Sequence, residues 1–135
     1  MTSEQIDILA LYGVPGVGAK TFARLIARFG SAGAAFAARD HELREVRGIG
    51  DKLLISIREF DRDAFVREQT RLMKRCGAML ITRNDPEYPP LLNRFISAPP
   101  ALFIRGDPNI LRMPTLAFVG TRKPTSWGLT ITARL

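Results

Sequence analysis

The residues best suited to chemistry in this sequence lie in a short turn near its C-terminal end. An unbroken apolar run over residues 116–119 precedes Gly120, and residues 129–135 have helical character. Such a run predicts a strand buried on both faces of a parallel sheet, so the turn would join that strand to the N-terminus of a helix. Free amides and the helix dipole favour anions there, and arginine can grip phosphate through two parallel hydrogen bonds. The residues predicted to bind phosphate are Gly120, Thr121, Arg122, Lys123, Thr125 and Ser126.

Each residue type in this turn has a role in the prediction. Gly120 would let the backbone turn sharply, while Thr121 and either Thr125 or Ser126 would supply hydroxyl groups and a helix cap. Trp127 could stack on a base or pack inward, and the sequence favours neither. The turn is neither a dinucleotide fingerprint nor a Walker loop, because its glycine spacing differs from both. The alternative interpretation is an ordinary strand-to-helix turn whose cations face solvent.

A second candidate site is a repeated glycine hairpin. Residues 14–20 and 46–52 align position by position, and each segment places two glycines and a lysine ahead of a predicted helix. Both resemble helix-hairpin-helix units, in which hairpin amides contact a phosphate oxygen and the lysine adds charge. The equally weighted alternative is that the glycines only let two helices pack closely. The candidates for a secondary DNA contact are Gly16, Gly18, Lys20, Gly48, Gly50 and Lys52.

The charge balance of the sequence favours an anionic partner. Its 135 residues contain 20 Lys and Arg against 13 Asp and Glu, a formal charge of +7, and most of the cations are arginines. After Asp107 the only charged residues are cations. Because the planar guanidinium group suits phosphate better than an ammonium group does, this excess predicts binding to phosphate or nucleic acid. For most arginines of the first 80 residues, solvation of helix faces is the preferred interpretation.

The composition also excludes several classes of protein. His41 and Cys76 are the only His and Cys, so we predict no metal site, no internal disulfide and no catalytic pair built on either residue. No acidic pair lies beside Gly120, and the sequence therefore predicts a binding protein without catalytic residues or a cofactor. No apolar run approaches 18 residues and no signal-peptide pattern is present, which predicts a cytoplasmic protein with no membrane partner.

Hydrophobic periodicity divides the sequence into a helical half and a strand-containing half. The pattern of residues 1–76 predicts helices. The first begins with a capping box at Thr2, and another covers residues 41–46 and is capped by Asp40. Cys76 is expected to be buried on an apolar helix face. In the second half, short apolar runs between turn residues predict strands. These strands cover residues 78–82, 101–105 and 116–119.

Four separated motifs give the chain a family resemblance. They lie at residues 77–82, 85–92, 99–106 and 119–128. In this order they resemble the DNA-processing protein A family, also called DprA or Smf. The resemblance covers the whole chain and implies an α/β protein with two domains. An all-helical, SAM-like helix-hairpin-helix domain over residues 1–76 would precede the beginning of an extended Rossmann-like α/β domain over residues 77–135.

The resemblance also implies a function. Members of this family bind single-stranded DNA without sequence preference, protect it and load RecA onto it during natural transformation, and they form homodimers as full-length proteins. Their Gly-Ser/Thr-Arg-x-Pro-Ser/Thr motif, which contributes to a basic DNA pocket, falls on residues 120–125, with Thr121 where serine is commoner. Single-stranded DNA, RecA and a second copy of the protein are therefore the expected partners.

Two other functional classes stay open at this point. One is a Rossmann-type nucleotide-phosphate-binding protein or hydrolase, and the other is an interaction module that uses the helical half for protein contacts. The family's Rossmann-like domain continues through several more strands and helices than this sequence contains. We therefore expect the chain to be the N-terminal piece of a longer protein, and to bind DNA poorly or self-associate in isolation because its sheet edge is open.

Overall fold

A computed structural model describes residues 1–134 as a helical half followed by a β-hairpin and a short C-terminal helix. The two strands, β1 (Ala78–Thr82) and β2 (Ala101–Arg105), follow six helices along the chain. A 3-10 helix covers Pro108–Arg112. The α-helices are α1 (Ser3–Gly13), α2 (Ala19–Phe29), α3 (Ala32–Ala37), α4 (Asp40–Arg44), α5 (Asp51–Glu59), α6 (Arg62–Cys76), α7 (Pro90–Asn93) and α8 (Ser126–Arg134).

Local sequence signals set most of the helix ends. The predicted capping box of α1 is confirmed: the Thr2 hydroxyl accepts a hydrogen bond from Gln5 N at 3.2 Å, and Gln5 Oε1 accepts one from Thr2 N at 2.9 Å. Asp61 caps α6 through its carboxylate. Gly30 and Gly77 end α2 and α6 with φ values of 82° and 66°, which glycine adopts without a steric penalty.

The cap predicted at Asp40 is wrong by one residue. Helix α4 begins at Asp40 itself, and its N-cap is Arg39. The Asp40 carboxylate instead accepts a hydrogen bond from Arg58 Nε at 2.8 Å, and the same guanidinium donates to the carbonyls of Phe36 and Ala38. Arg58 thereby satisfies carbonyls at the end of α3 and pairs with Asp40, while the start of α4 is capped by Glu42, which accepts a hydrogen bond from Arg39 N at 2.7 Å.

The repeat predicted for the two hairpins is present in the backbone. Gly16 and Gly48 have φ values of 93° and 97°, a region that L side chains rarely adopt. Gly18 and Gly50 are the N-caps of α2 and α5, both in extended conformation. The two hairpins therefore reverse the chain in the same way, and the helix that follows begins at the same position of each repeat.

Each hairpin packs against the helix that follows the other one. A Cβ atom placed on Gly16 would lie 3.2 Å from Leu53 of α5, and one placed on Gly48 would lie 3.1 Å from the Arg24 guanidinium of α2. Equivalent positions of the two units are buried in a shared core, where burying each large apolar side chain contributes about 1.5–3 kcal/mol. These pairs are Val14 and Val46, Val17 and Ile49, Phe22 and Leu54, and Leu25 and Ile57.

The β-hairpin lies against the helical half. Strands β1 and β2 pair antiparallel, with Ala78 opposite Arg105 and Thr82 opposite Ala101. Leu80 and Ala101 join the hydrophobic core of the helices. Phe103, directly opposite Leu80, lies on the same face of the sheet but remains exposed, whereas Ile81 of the other face is buried. The β-hairpin thus contacts the helical core through only part of one face.

The third predicted strand is wrong for the residues that the structure describes. Residues 114–120 have no regular secondary structure, and Leu116 and Val119 are 87% and 95% exposed. A strand needs a ladder partner and a face to bury, but β1 and β2 pair only with each other within residues 1–134. The parallel sheet expected around residues 116–119 is therefore missing there. The expectation of a buried Cys76 is also wrong, because its side chain is exposed.

A carboxylate in the connection between the strands fastens that connection to α1. Asp85 Oδ2 accepts hydrogen bonds from Thr82 N at 2.6 Å, from the Thr82 hydroxyl at 2.8 Å and from Gln5 Nε2 at 3.0 Å. Partial burial acts to raise the pKa of Asp85, but these hydrogen bonds outweigh it and hold the pKa below its ordinary value of 3.8. The charged form of Asp85 is therefore the one that stabilises the fold.

We predict that Asp85→Asn lowers stability at neutral pH and flattens its acid dependence. A depressed pKa contributes stability that is present above the unfolded-state pKa and is lost as pH falls through the folded-state value. The free energy of unfolding of the wild type should therefore decline below about pH 4. Urea titrations from pH 3 to 7 measure this, with Glu87→Gln as the control. A variant whose pH profile parallels that of the wild type would show that Asp85 has no such role.

We predict that Gly16→Ala destabilises the chain by about 1–3 kcal/mol. The alanine must adopt the positive φ of Gly16 and accommodate a Cβ atom near Leu53. The matched control is Gly18→Ala, because a Cβ atom there has no neighbour within 4 Å and φ is already negative. Chemical denaturation measures both variants. Equal losses for the two substitutions would refute the role assigned to the Gly16 backbone.

Candidate nucleic-acid interface

The turn of residues 120–126 lies on the surface and leads into α8. The Thr125 hydroxyl accepts a hydrogen bond from Gly128 N at 3.2 Å, which confirms a threonine cap for this helix. The Thr121 hydroxyl donates to Lys123 O at 2.8 Å and closes the turn on itself. Residues 120–126 are all exposed. The hydroxyl groups thus shape the turn and leave its outer side open to a ligand.

The electrostatics of this turn suit an anion. Arg122 and Lys123 are exposed, and neither makes an ion pair within residues 1–134. No acidic residue lies in the first turn of α8. The positive end of the helix dipole therefore adds to two cationic side chains that no carboxylate neutralises in the described chain.

The structure changes one detail of the predicted turn and decides another that the sequence left open. Gly120 does not have a positive φ, so the conformational freedom of glycine is not used there as the sequence suggested. Trp127 is 73% exposed and does not pack inward, which leaves its ring accessible to a base. An inward-facing ring would need a strand over residues 116–119 as its support, and that strand is absent.

The first hairpin presents a helix N-terminus with no acidic residue beside it. Helix α2 begins after Gly18 and carries no carboxylate in its first turn. Lys20 is exposed and makes no ion pair within the described residues. One helical turn further on, Arg24 donates from Nη1 to the carbonyl of Arg47 at 2.8 Å, a neutral acceptor that leaves the guanidinium charge uncompensated.

The second hairpin differs from the first in having a carboxylate at the start of its helix. Asp51 occupies the first turn of α5, directly after Gly50, where it interacts favourably with the helix dipole. Arg44 Nη2 lies 2.8 Å from Asp51 Oδ1. A carboxylate at this point opposes an incoming phosphate. Lys52 is exposed, as the prediction requires, but it follows that carboxylate.

The structure brings the six hairpin candidates together on one interlocked pair of units, whereas the turn of residues 120–126 is separate from them. Every hydrogen bond that the structure shows for residues 114–134 stays within that segment. Sequence reasoning missed Arg24, although Lys20, Arg24 and Arg28 recur every four residues and so share one helix face. That spacing could have indicated a basic stripe along α2.

Within residues 1–134 no group of three or more His, Cys, Asp or Glu side chains is arranged to hold a metal ion. His41, in the first half of α4, lies on an exposed surface. None of the helices in that part of the chain is both long and apolar enough to cross a membrane. What these residues can do is hold an anion by charge and backbone amides.

Comparisons with known proteins identify two regions of the chain. Residues 2–39 match the family model described as the DprA-like N-terminal HHH domain, and residues 79–135 match the one described as DNA recombination-mediator protein A. The chain is also 33% identical, over 134 residues, to the protein Smf of Synechocystis sp.. The chain belongs to the DprA/Smf family. The resemblance inferred from the four sequence motifs is thereby confirmed.

The matched ranges of this DprA/Smf chain separate the two hairpins. The first hairpin lies inside the helix-hairpin-helix range, and the turn of residues 120–126 lies inside the recombination-mediator range. The second hairpin, at residues 46–52, falls outside both. The alignment with Smf covers 93% of this chain and 33% of Smf, so the chain spans about a third of the length of that curated relative.

Proposed function

We propose that this DprA/Smf chain is a non-catalytic binder of single-stranded DNA. The observation that carries the proposal is the exposed turn of residues 120–126, where Arg122 and Lys123 stand beside the N-terminus of α8 with no carboxylate partner in the described chain. Such a site recognises the sugar–phosphate backbone and carries no information about base sequence. This accords with the description of the matching family as a DNA recombination mediator.

Preference for a single strand would come from the exposed ring of Trp127 next to this turn. An unstacked base presents a π-face that a duplex hides, and stacking on an aromatic side chain contributes about 1–3 kcal/mol per base. With Trp127 73% exposed in the first turn of α8, one base can stack while Arg122 and Lys123 neutralise the adjoining phosphates. The turn and the ring would therefore act as one subsite.

A secondary backbone contact is proposed at the two glycine hairpins. Both present the N-terminus of a helix, preceded by Gly18 or Gly50, with Lys20 or Lys52 two residues later. Backbone amides at such a hairpin can hold a phosphate oxygen without reading the base. Contact at a hairpin as well as at residues 120–126 would extend the footprint along the strand.

The wider role follows from family membership. We propose that the protein works in DNA processing during recombination or natural transformation, protects incoming single strands and loads RecA onto them in the cytoplasm. A homodimer, with an extended Rossmann-like domain that begins near residue 77, is part of the same proposal. Support for these points comes from the match of residues 79–135 to the recombination-mediator family and from the relationship to Smf.

We predict that the double substitution Arg122→Glu and Lys123→Glu weakens binding to oligo-dT. Replacing two cations removes two phosphate contacts, and each contact contributes about 0.7 to the log–log salt slope for a single strand. Fluorescence anisotropy across a salt series, starting at low ionic strength, measures the affinity and the slope. The control, Arg67→Glu with Lys74→Glu on α6, makes the same change in net charge. An unchanged slope in the turn variant would refute the proposed site.

We predict that the double substitution Lys20→Glu and Lys52→Glu also weakens DNA binding in a salt-dependent way. The loss should appear for any base sequence, because only backbone phosphates are contacted. Titrations with oligo-dT and with a mixed-sequence strand measure this. If the affinity is the same as that of the wild type across the whole salt series, the hairpins have only the structural role of packing two helices together.

A further inference from the structure

The two hairpin units have the same backbone but different surfaces. In the first unit, Lys20 and Arg24 lie four residues apart on α2, about 6 Å along the helix axis. The positions equivalent to them in the second unit are Lys52 and Ser56, so the cationic pair is not repeated. The second unit also has Asp51 at its helix start, paired with Arg44, and an exposed Arg47 in the hairpin where the first unit has Pro15. A polyanion therefore meets different charge patterns on two similar backbones.

The cations of α2 differ in how far their charge is neutralised. Arg28, the next residue along the stripe, has its guanidinium 2.9 Å from a carboxylate oxygen of Glu45. Arg24 is held by the carbonyl of Arg47, which fixes its position and leaves its charge available. Lys20 has no carboxylate partner within residues 1–134. The uncompensated charge is thus concentrated on the first half of the stripe.

A cavity of about 320 Å³ opens between these two cations. Its remaining lining is apolar: Ala23 and Ala27, both of them small, and Ile96 from the connection between β1 and β2, which is 76% exposed. This volume lies within the range of about 300–1,000 Å³ that is usual for small-molecule sites. The cavity combines a flat apolar surface with a rim of two cations and has no carboxylate in its lining.

We propose that this cavity, which we call the α2 groove, holds one nucleotide of a single DNA strand. The base would lie against Ala23, Ala27 and Ile96, and its phosphate would sit between Lys20 and Arg24. The inference rests on the proposed function and deepens it, since it names one of the two hairpin units as the contact and adds a pocket for the base. A duplex does not fit the α2 groove in this way, because its bases are stacked and face inward.

The charge complementarity of the α2 groove selects a nucleic acid over an apolar partner. Lys20 and Arg24 would neutralise phosphates of a polyanion, which reduces the repulsion between those phosphates and releases counterions. An apolar peptide would have to bury both charges without partners. The larger neighbouring cavity of about 340 Å³ lies across Ala23 and Ala27 and contains both Glu4 and Arg83 in its lining. Because these opposite charges balance, that second cavity is less suitable for the strand than the α2 groove.

The test compares oligo-dT with an abasic strand of the same length, using this chain and its variants. Ala27→Leu fills the α2 groove without changing charge, and it should reduce the preference for oligo-dT over the abasic strand. Lys20→Glu should weaken binding to both strands and lower the salt slope by about 0.7. The matched control is Lys74→Glu, an exposed cation on α6 outside both hairpin units, which should change neither. Circular dichroism checks that each variant is folded.

Two results would overturn this inference while leaving the proposed function intact. One is an equal loss of affinity for Lys20→Glu and Lys74→Glu, and the other is an unchanged strand preference in Ala27→Leu, in either case with binding still sensitive to substitution of Arg122 and Lys123. Failure of the chain to bind either strand at low salt would overturn the proposed function and the α2 groove together. If Lys20→Glu weakened the binding of an acidic peptide and left DNA binding unchanged, the groove would be assigned to a protein partner and the inference would be refuted.

Discussion

The helical half depends on two backbone positions with positive φ. Gly16 and Gly48 each reverse the chain at a point where the facing unit comes within contact distance, Leu53 in one case and Arg24 in the other. A side chain at either glycine would be strained by the positive φ and would make the facing side chain shift by a few tenths of an ångström. Because both hairpins lie against the opposite helix, the directions of α2 and α5 are fixed relative to each other, and the exposed face of α2 is fixed with them.

This packing also determines which cations keep their charge. The six ion pairs that the structure shows within residues 1–134 all lie in residues 1–76. Most acidic side chains of the helical half are therefore already paired with a cation. Arg24 is drawn to a backbone carbonyl and stays uncompensated. Residues 114–134 contain no acid at all. Among the cations that have no carboxylate partner in the described chain, Lys20 and Arg24 lie along the start of α2, and Arg122 and Lys123 lie at residues 120–126.

Features that depend on neighbouring residues were predictable from sequence, and features that depend on distant partners were not. The hairpin repeat and the cap at Thr2 arise from residues a few positions apart, and they were predicted with the right register. The run at residues 116–119 is apolar enough for a buried strand, but a strand also requires partners that residues 1–134 do not supply. The cap at Asp40 failed because Arg58, remote in sequence, competes for its carboxylate.

The same distinction applies to the candidate site. The cations at residues 120–126 were predictable because an exposed turn needs no tertiary partner to present them. The α2 groove was not, since one of its walls is Ile96, which arrives from the connection between the strands. Nor could sequence show that Arg24 points at a carbonyl rather than at a carboxylate. Periodicity places side chains on a face, but it does not identify what lies opposite that face.

The side-chain amide of Gln5 makes two hydrogen bonds at once, and this restricts the residue types that can replace it more than is usual at a helix start. Its oxygen closes the capping box with Thr2, and its nitrogen donates to Asp85 in the strand connection. Glutamate closes a capping box equally well, yet here it would offer no donor and would set two like charges side by side. Among related chains, a glutamate at this position should therefore be accompanied by the loss of the acid at the position of Asp85.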